Sequence, residues 1–163
     1  MPLNLVRIDD RLIHGQVVLG WGSYLQPDRI ILCSDDVASC DWEKEIYLGA
    51  VTEDIEASVL SVKDSAESLL ENRFERAKII LLVETPRTLV ELLDYGVKFD
   101  TVNVGGMHYR EGKRRVIPYI YLSDQDEGWF RELYLRHIKL ECQDVPTCKK
   151  QNLAELLHFS ESD

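Results

Sequence analysis

Short apolar runs alternate with segments of helical periodicity along the whole chain, without an internal repeat or a linker. The clearest run is AKIILLV at residues 77–83, whose continuous apolar character is typical of a strand buried on both faces. Strands that alternate with helices favour a mainly parallel sheet, because crossover helices connect neighbouring strands. We therefore predict an α/β fold, an open and mainly parallel sheet of about six to seven strands with helices on both faces.

Turn and capping residues set the expected limits of these elements. The expected strands are 3–8, 29–33, 57–62, 77–83, 101–104, 116–122 and 138–142. The expected helices begin near Gly15, Ser34, Lys63, Thr85, Ser123 and Pro146. The helix at Ser34 is expected to continue to residue 50, and Pro118 suggests an edge strand or a bulge.

A dense group of charged residues follows the first strand. Asp9, Asp10, Arg11 and His14 lie close together, and Arg7 precedes them within the strand. In open α/β sheets, ligands bind at the carboxyl ends of the strands, where this turn falls. A neutral imidazole can accept and release a phosphoryl group near pH 7, and forked guanidinium donors fit phosphate oxygens. The pattern therefore indicates phosphoryl chemistry.

Two interpretations of this turn remain open on spacing alone. In the first, Arg7 and Arg11 stabilise the charge that spreads over a transferring phosphoryl group, and Asp9 or Asp10 binds one imidazole nitrogen of His14. The N–H groups that open the following helix would add partial positive charge. In the second, an aspartate pairs with an arginine at a surface turn, and the histidine is a polar residue near a helix start.

Three stretches carry a resemblance to a known family. RIDDRLIHGQV at residues 7–17 resembles the active-site loop of the enzyme IIB component of the mannose/fructose/sorbose family of the bacterial sugar phosphotransferase system. NVGGMHYREGK at residues 103–113 resembles the second signature of that family, and LLVETP at residues 81–86 resembles a further segment. The resemblance extends from residue 3 to about residue 146.

The resemblance implies a fold, a reaction and a set of partners. The fold is an open parallel sheet with one antiparallel strand, forming a single IIB domain over residues 1–163 with no fused IIA domain. A phosphorylated IIA partner would pass its phosphoryl group to Nδ1 of His14, which would pass it to a sugar held by membrane IIC and IID components. Arg7 and Arg11 would stabilise the transferring group, and Asp9 would orient the ring or Arg11. No metal or organic cofactor is implied.

A regulatory module of the same fold is an alternative function. It would accept phosphate on His14 but would no longer take part in transport, and its phosphorylation loop would look identical. An unrelated domain that binds small anions or nucleotides is disfavoured, because the sequence has neither GxGxxG nor a P-loop.

The first and second signatures add further candidate site residues by resemblance. Residues predicted to lie near the phosphate or the partner are Gly15, Gly105, Gly106, His108, Arg110 and Lys113. The basic residues predicted to form one ring around the phosphorylation site are Arg7, Arg11, Arg110, Lys113, Arg114 and Arg115. The alternative for the second loop is a tight turn with solvated charges.

Composition limits the class of partner. The net charge of −10 argues against nucleic-acid binding, whereas a local basic patch suits a phosphorylated partner. No run approaches transmembrane length and no signal-peptide pattern is present, so a cytoplasmic protein is expected. The four cysteines form no CxxC pair and no zinc spacing, and Cys33 is expected in the core. His137 and His158 are expected to be structural or exposed.

Overall fold

The structure is a computed structural model that describes residues 3–161. The strands are β1 (Leu3–Asp9), β2 (Arg29–Cys33), β3 (Glu56–Leu60), β4 (Ile79–Val83), β5 (Thr101–Gly106), β6 (Arg114–Ile117), β7 (Ile120–Leu122), β8 (Lys139–Cys142) and β9 (Gln151–Asn152). Helix α1 consists of a π-helical segment, Gln16–Trp21, and an α-helical segment, Gly22–Leu25. The other helices are α2 (Asp35–Ala38), α3 (Asp41–Leu48), α4 (Val62–Leu70), α5 (Pro86–Asp94), α6 (Asp124–Leu135) and α7 (Leu153–Leu156).

Seven strands form one open sheet in the order β3-β2-β4-β1-β5-β8-β9. Neighbouring strands are parallel except for β9, which pairs antiparallel with β8. The predicted α/β class, strand number and single antiparallel pair are confirmed. β1 lies between β4 and β5, so its carboxyl end is flanked by the ends of two parallel neighbours.

Alternate residues of the central strands pack into two different cores. Ile31, Leu81 and Val83 belong to a core that includes side chains of α4, α5 and α6. Leu32 and Leu82 belong to a second core, which includes α1 and the turn before it. Because successive strand residues point to opposite faces, the two cores lie on opposite sides of the sheet. Helices therefore cover both faces, as predicted.

The expected helix from Ser34 to residue 50 is wrong as one element. The Ser34 hydroxyl accepts the Val37 N–H and caps α2, as its sequence position indicates. The helix stops because the Ser39 hydroxyl donates to the Asp36 carbonyl, and Cys40 then adopts an extended conformation before α3. Serine side chains that bond nearby backbone compete with helix continuation in this way.

Two further expectations near the C-terminal half are corrected. Residues 116–122 contain the end of β6, the turn and β7 of an antiparallel hairpin, with Pro118 between Ile117 and Ile120, which face each other. Proline lacks the N–H that a continuous strand needs and favours a turn. The expected helix from Pro146 is instead a loop, followed by β9 and the short α7. The Gln143 side chain holds that loop by donating to the Pro146 and Cys148 carbonyls, at 3.1 and 2.8 Å.

Candidate functional site

The site lies where β1, β5 and β8 end side by side. In the parallel register Ile8 is opposite Val104 and Asp9 is opposite Gly106, and Val104 is opposite Cys142. The residues that follow these strands therefore meet at one edge of the sheet. This is the edge at which open α/β sheets bind ligands.

Asp9 is the centre of the site. Its carboxylate is fully buried and accepts hydrogen bonds on both oxygens. Oδ2 contacts His14 Nε2 at 3.0 Å, Arg11 Nη2 at 3.0 Å and Arg7 Nη2 at 3.2 Å. Oδ1 accepts the Arg11 backbone N–H at 3.1 Å and Arg11 Nε at 3.0 Å. Burial alone would raise the pKa of Asp9, but the hydrogen bonds from His14 and Arg11 and the charge of Arg7 hold it below its usual value.

His14 is tied to Asp9 through its Nε2 atom. An ionised carboxylate can only accept, so Nε2 carries the proton in this contact and the lone pair is assigned to Nδ1. The side chain of His14 is 18% exposed, so the ring borders solvent. The predicted contact between an aspartate and one imidazole nitrogen is therefore present, and it involves Asp9.

Arg7, which the resemblance places among the groups that stabilise the transferring phosphoryl group, is fully buried next to Asp9. Nη1 donates to the Asn103 Oδ1 atom and to the Gln143 carbonyl at 2.8 Å, and Nη2 donates to the Asp144 carbonyl at 2.7 Å. Burial lowers the pKa of Arg7, and the adjacent Asp9 charge opposes that effect. Arg7 therefore reaches the site through its contact with Asp9.

Three residues of the site were missed by sequence reasoning. Asn103 lies within a buried strand, and Gln143 and Asp144 follow β8. Their positions in the sequence could have indicated them, because they are polar residues within or directly after strands that end at this same edge. The Asp144 carbonyl also accepts the indole N–H of Trp21, whose ring lies 5.1 Å from the Arg7 guanidinium carbon. Hydrogen bonds to the Asp144 carbonyl therefore connect the loop after β8 to β1 and α1.

Arg11 is the more accessible of the two predicted arginines. Its side chain is 31% exposed and also approaches Asp144 Oδ1, at 3.5 Å. The hydrogen bonds with Asp9 raise the pKa of Arg11, so it remains charged. A partly exposed guanidinium that shares a carboxylate with His14 can also reach a group bound at the ring.

The backbone of the turn is strained at Leu12. Leu12 has φ 61°, a left-handed conformation that costs a non-glycine residue about 1 kcal/mol or more. The Leu12 N–H donates to the Asp9 carbonyl, and the side chains of Leu12 and Ile13 are buried in the second core. Burial of these two side chains holds the turn in the conformation that brings His14 back to Asp9.

Asp10 connects the first turn to the loop after β5. Its N–H donates to the Gly106 carbonyl, and its carboxylate accepts the His108 N–H at 2.7 Å. The ring of His108 also contacts Asp10, through Nδ1 at 2.5 Å, and its side chain is 53% exposed. The structure therefore places His108 at this edge of the sheet, against Asp10.

The two predicted glycines of β5 provide space for the arginine and aspartate side chains. A Cβ atom on Gly105 would lie 1.9 Å from the Arg7 guanidinium carbon. A Cβ on Gly106 would lie 3.0 Å from Asp9 Oδ1 and 3.3 Å from Arg11 Nη2. Gly105 is therefore required by the position of Arg7, and a side chain at Gly106 would crowd Asp9 and Arg11. Gly15 precedes α1, is exposed, and has nothing within 4 Å of a built Cβ.

Gly105→Ala is expected to lower the free energy of unfolding by roughly 2–4 kcal/mol, because the methyl group displaces the buried Arg7 guanidinium from its acceptors. The measurement is urea unfolding. The matched control is Gly128→Ala, at an exposed position in α6 with nothing within 4 Å, where stability should rise by up to about 1 kcal/mol. Equal stability of the Gly105→Ala variant and wild type would contradict the close packing of Arg7.

Two of the basic residues that were predicted to form a ring around His14 form ion pairs with helix α6. Lys113 Nζ pairs with Asp126 at 3.2 Å, and Arg114 pairs with Asp124 and Glu127 on α6. The hairpin directs these cations to the helix, so acidic partners offset their charge. Arg110 is exposed, and its charge opposes the burial that raises the pKa of Glu84, at the end of β4.

The remaining candidate residues lie outside the site. Cys33 is fully buried in the first core, as predicted, and burial raises the pKa of its thiol to about 12. His137 and His158 have φ of 66° and 59° just after α6 and α7, where chains commonly leave a helix. Between residues 3 and 161, no His, Cys, Asp and Glu side chains form a group of three or more that could hold a metal ion. In the same part of the chain, no helix is long and apolar enough to cross a bilayer.

A groove of about 720 Å³ is lined by residues of β1, α1, β5 and the loop after β8, but His14 is not among them. Asn103 and Gln143, which accept hydrogen bonds from Arg7, line this groove, so it approaches the site only from the side of the Arg7 contacts. The geometry around Asp9 and His14, and not this groove, is the better candidate for chemistry.

Comparisons with known proteins identify the family of this chain. Residues 3–163 match the family described as "PTS system sorbose subfamily IIB component". The chain belongs to this family. It is 34% identical over 157 residues to the fructose-specific EIIB component of Bacillus subtilis (strain 168), with 96% of each chain covered. The IIB family name confirms the resemblance carried by residues 7–17 and makes the chain a sugar phosphotransferase-system component.

Other relatives show the same fold in a different arrangement of domains. The mannose-specific EIIAB component of Escherichia coli (strain K12) is 34% identical over 157 residues, which are 96% of this chain and 49% of that protein. The IIBSor domain of the sorbose permease from Klebsiella pneumoniae has a TM-score of 0.92 at 30% identity, with 97% of each chain covered. The region that matches this chain therefore makes up nearly all of one relative and about half of another.

Proposed function

We propose that this IIB protein is a cytoplasmic phosphocarrier that takes a phosphoryl group from a phosphorylated IIA partner on Nδ1 of His14. His14 then passes the group to a sugar held by membrane IIC and IID components. The observation that supports this most strongly is the 3.0 Å contact between His14 Nε2 and buried Asp9, with Arg11 on the same carboxylate.

The Asp9 contact suits both transfer steps. In the first, the Nδ1 lone pair attacks phosphorus as the bond to the donor nitrogen of IIA breaks. The ring then carries phosphorus on Nδ1 and the proton on Nε2, so it is positively charged, and the ionised Asp9 stabilises that charge. Because the pKa of Asp9 is held low, the proton stays on the ring.

In the second step, a sugar hydroxyl oxygen forms the new bond to phosphorus as the Nδ1–P bond breaks. The hydroxyl proton is released to a base or to solvent, and His14 leaves as a neutral imidazole with its Nε2 proton in place. A neutral leaving group departs more readily than an anion. Asp9 thus restores the starting tautomer at the end of each cycle.

The test uses wild-type protein with labelled phosphoenolpyruvate, the general phosphotransferase proteins and a matching IIA. We expect a label on the protein that is lost in acid and survives alkali, as phosphohistidine does. Adding membranes that contain IIC and IID together with fructose, mannose or sorbose, the sugars named for the relatives, should move the label to one sugar. A protein that never acquires label would refute the proposal. Label that no sugar removes would favour the regulatory module.

Arg11→Lys is expected to slow phosphoryl transfer by roughly ten- to a thousand-fold, because lysine keeps the charge but loses the forked donors. The thermal midpoint should change little, since Arg11 is partly exposed. The measurement is the rate of phosphoryl transfer from IIA. The control is Arg114→Lys, which should transfer at the wild-type rate, because the Arg114 guanidinium pairs with acidic residues of α6. Equal rates in the two variants would remove Arg11 from the mechanism.

A further inference from the structure

Helix α3 presents an apolar pair to solvent. Trp42 and Ile46 are 64% and 57% exposed, and no residue of α3 is fully buried. They are four residues apart, so they lie on one face of the helix. The following residue, Tyr47, packs against the second core and holds the helix to the body. We call Trp42 and Ile46 the α3 ridge.

The α3 ridge follows α2, which begins at the same edge of the sheet as the turn that carries His14. Helix α2 follows directly from β2, and the Ser34 hydroxyl at its start is 3.5 Å from Glu84 Oε1 at the end of β4. Burial raises the pKa of Glu84, and the charges of Asp36 and Asp10 add to that effect. The start of α2 therefore lies near Glu84, which is itself near Asp10. Burial and the charge of Glu84 raise the pKa of Tyr47, so α3 also lies near the end of β4.

The segment around the ridge is acidic. Residues 35–48 contain one lysine and five acidic residues, Asp35, Asp36, Asp41, Glu43 and Glu45. An exposed Trp–Ile pair framed by carboxylates complements an apolar pocket with a basic rim.

The negative charge around the α3 ridge disfavours some classes of partner and favours others. A phosphorylated IIA brings additional negative charge, and a second copy of this chain brings the same five carboxylates. The anionic cytoplasmic leaflet would also repel the ridge. Cytoplasmic loops of membrane proteins, in contrast, are enriched in lysine and arginine.

We propose that the α3 ridge docks the protein onto a basic, apolar-lined cytoplasmic surface of its membrane IIC or IID component. This inference rests on the proposed function, and it assigns the ridge to the second transfer step alone. Docking there holds the His14 edge against the membrane component while the IIA surface stays separate.

The test compares the two transfer steps in Trp42→Gln/Ile46→Gln. Labelling of His14 by phospho-IIA should be unchanged, because the ridge is not used in that step. In membrane vesicles that contain IIC and IID, the KM for the phosphorylated protein should rise roughly ten- to a hundred-fold, as expected when two central anchors are removed. The maximal rate at saturation should stay the same.

The matched control is Leu70→Gln/Leu135→Gln. These leucines are 47% and 43% exposed at the ends of α4 and α6, away from the His14 edge, and their removal should leave both steps unchanged. An unchanged KM in the ridge variant would overturn the proposal, and so would slower labelling by IIA, which would assign the ridge to IIA. If wild-type protein is never labelled, the proposed function itself fails. That result differs from an unchanged KM and from slower labelling of the ridge variant, which overturn only the docking proposal.

Discussion

Replacing His14 with alanine is expected to reduce labelling from phospho-IIA to background, because the structure places one imidazole beside both Asp9 and Arg11. The matched control is His108→Ala. His108 lies at the same edge, but its ring contacts Asp10, so this variant should label at a rate within a few-fold of wild type. Labelling is followed with phosphoenolpyruvate, the general proteins and IIA. Full labelling of the His14→Ala variant would exclude His14 as the acceptor.

Asp9→Asn is expected to slow transfer by roughly a hundred- to a thousand-fold, in the range for loss of one electrostatic group at a reacting centre. The amide can donate to His14 Nε2 as well as accept from it, so the ring tautomer is no longer fixed and Nδ1 can carry the proton. The measurement is the single-turnover rate of phosphoryl transfer from IIA. A rate within threefold of wild type would show that the Asp9 contact does not matter for transfer.

The same substitution should lower the free energy of unfolding by about 3–5 kcal/mol, because it leaves Arg7 buried without its charged partner. Asp10→Asn is the control, since Asp10 is partly exposed and bonds only at the loop, and it should cost about 1 kcal/mol. Urea unfolding of the two variants measures the difference. Similar losses in both would contradict the central position of Asp9.

The effect of Asp9 should depend on pH. Its folded-state pKa lies below the usual value of about 4, so ionised Asp9 stabilises the fold above that pH. The stabilisation is lost as the pH falls through the lower folded-state pKa, because the unfolded chain binds the proton first. Stability of wild type should therefore fall in acid more steeply than that of Asp9→Asn.

The local part of the site could be predicted because its residues are neighbours in sequence. Asp9, Arg11 and His14 belong to one turn after a strand, and parallel strands place such turns at one edge. Strands β1, β2 and β4 could be predicted from their apolar runs, because buried parallel strands are continuous hydrophobic segments in the sequence.

The role of Arg7 could not be predicted from its surroundings in the sequence. Its acceptors Asn103, Gln143 and Asp144 follow 96 to 137 residues later, and they meet it only after the sheet has formed. The glycine signal at Gly105 was visible, but its cause, the guanidinium packed against it, depends on the same long-range contacts. The β6-β7 hairpin was missed because two short strands flanking Pro118 resemble one strand in sequence.

The most direct test of the account is nitrogen NMR of the His14 ring in protein labelled with nitrogen-15, before and after phosphorylation. We predict a proton on Nε2 and an unprotonated Nδ1 in the resting protein, since Nε2 donates to Asp9 at 3.0 Å. After phosphorylation, phosphorus coupling should appear on Nδ1 while Nε2 keeps its proton. Phosphorus coupling on Nε2, or a resting ring protonated on Nδ1, would contradict the assignment of Asp9 as the group that selects the nucleophilic nitrogen.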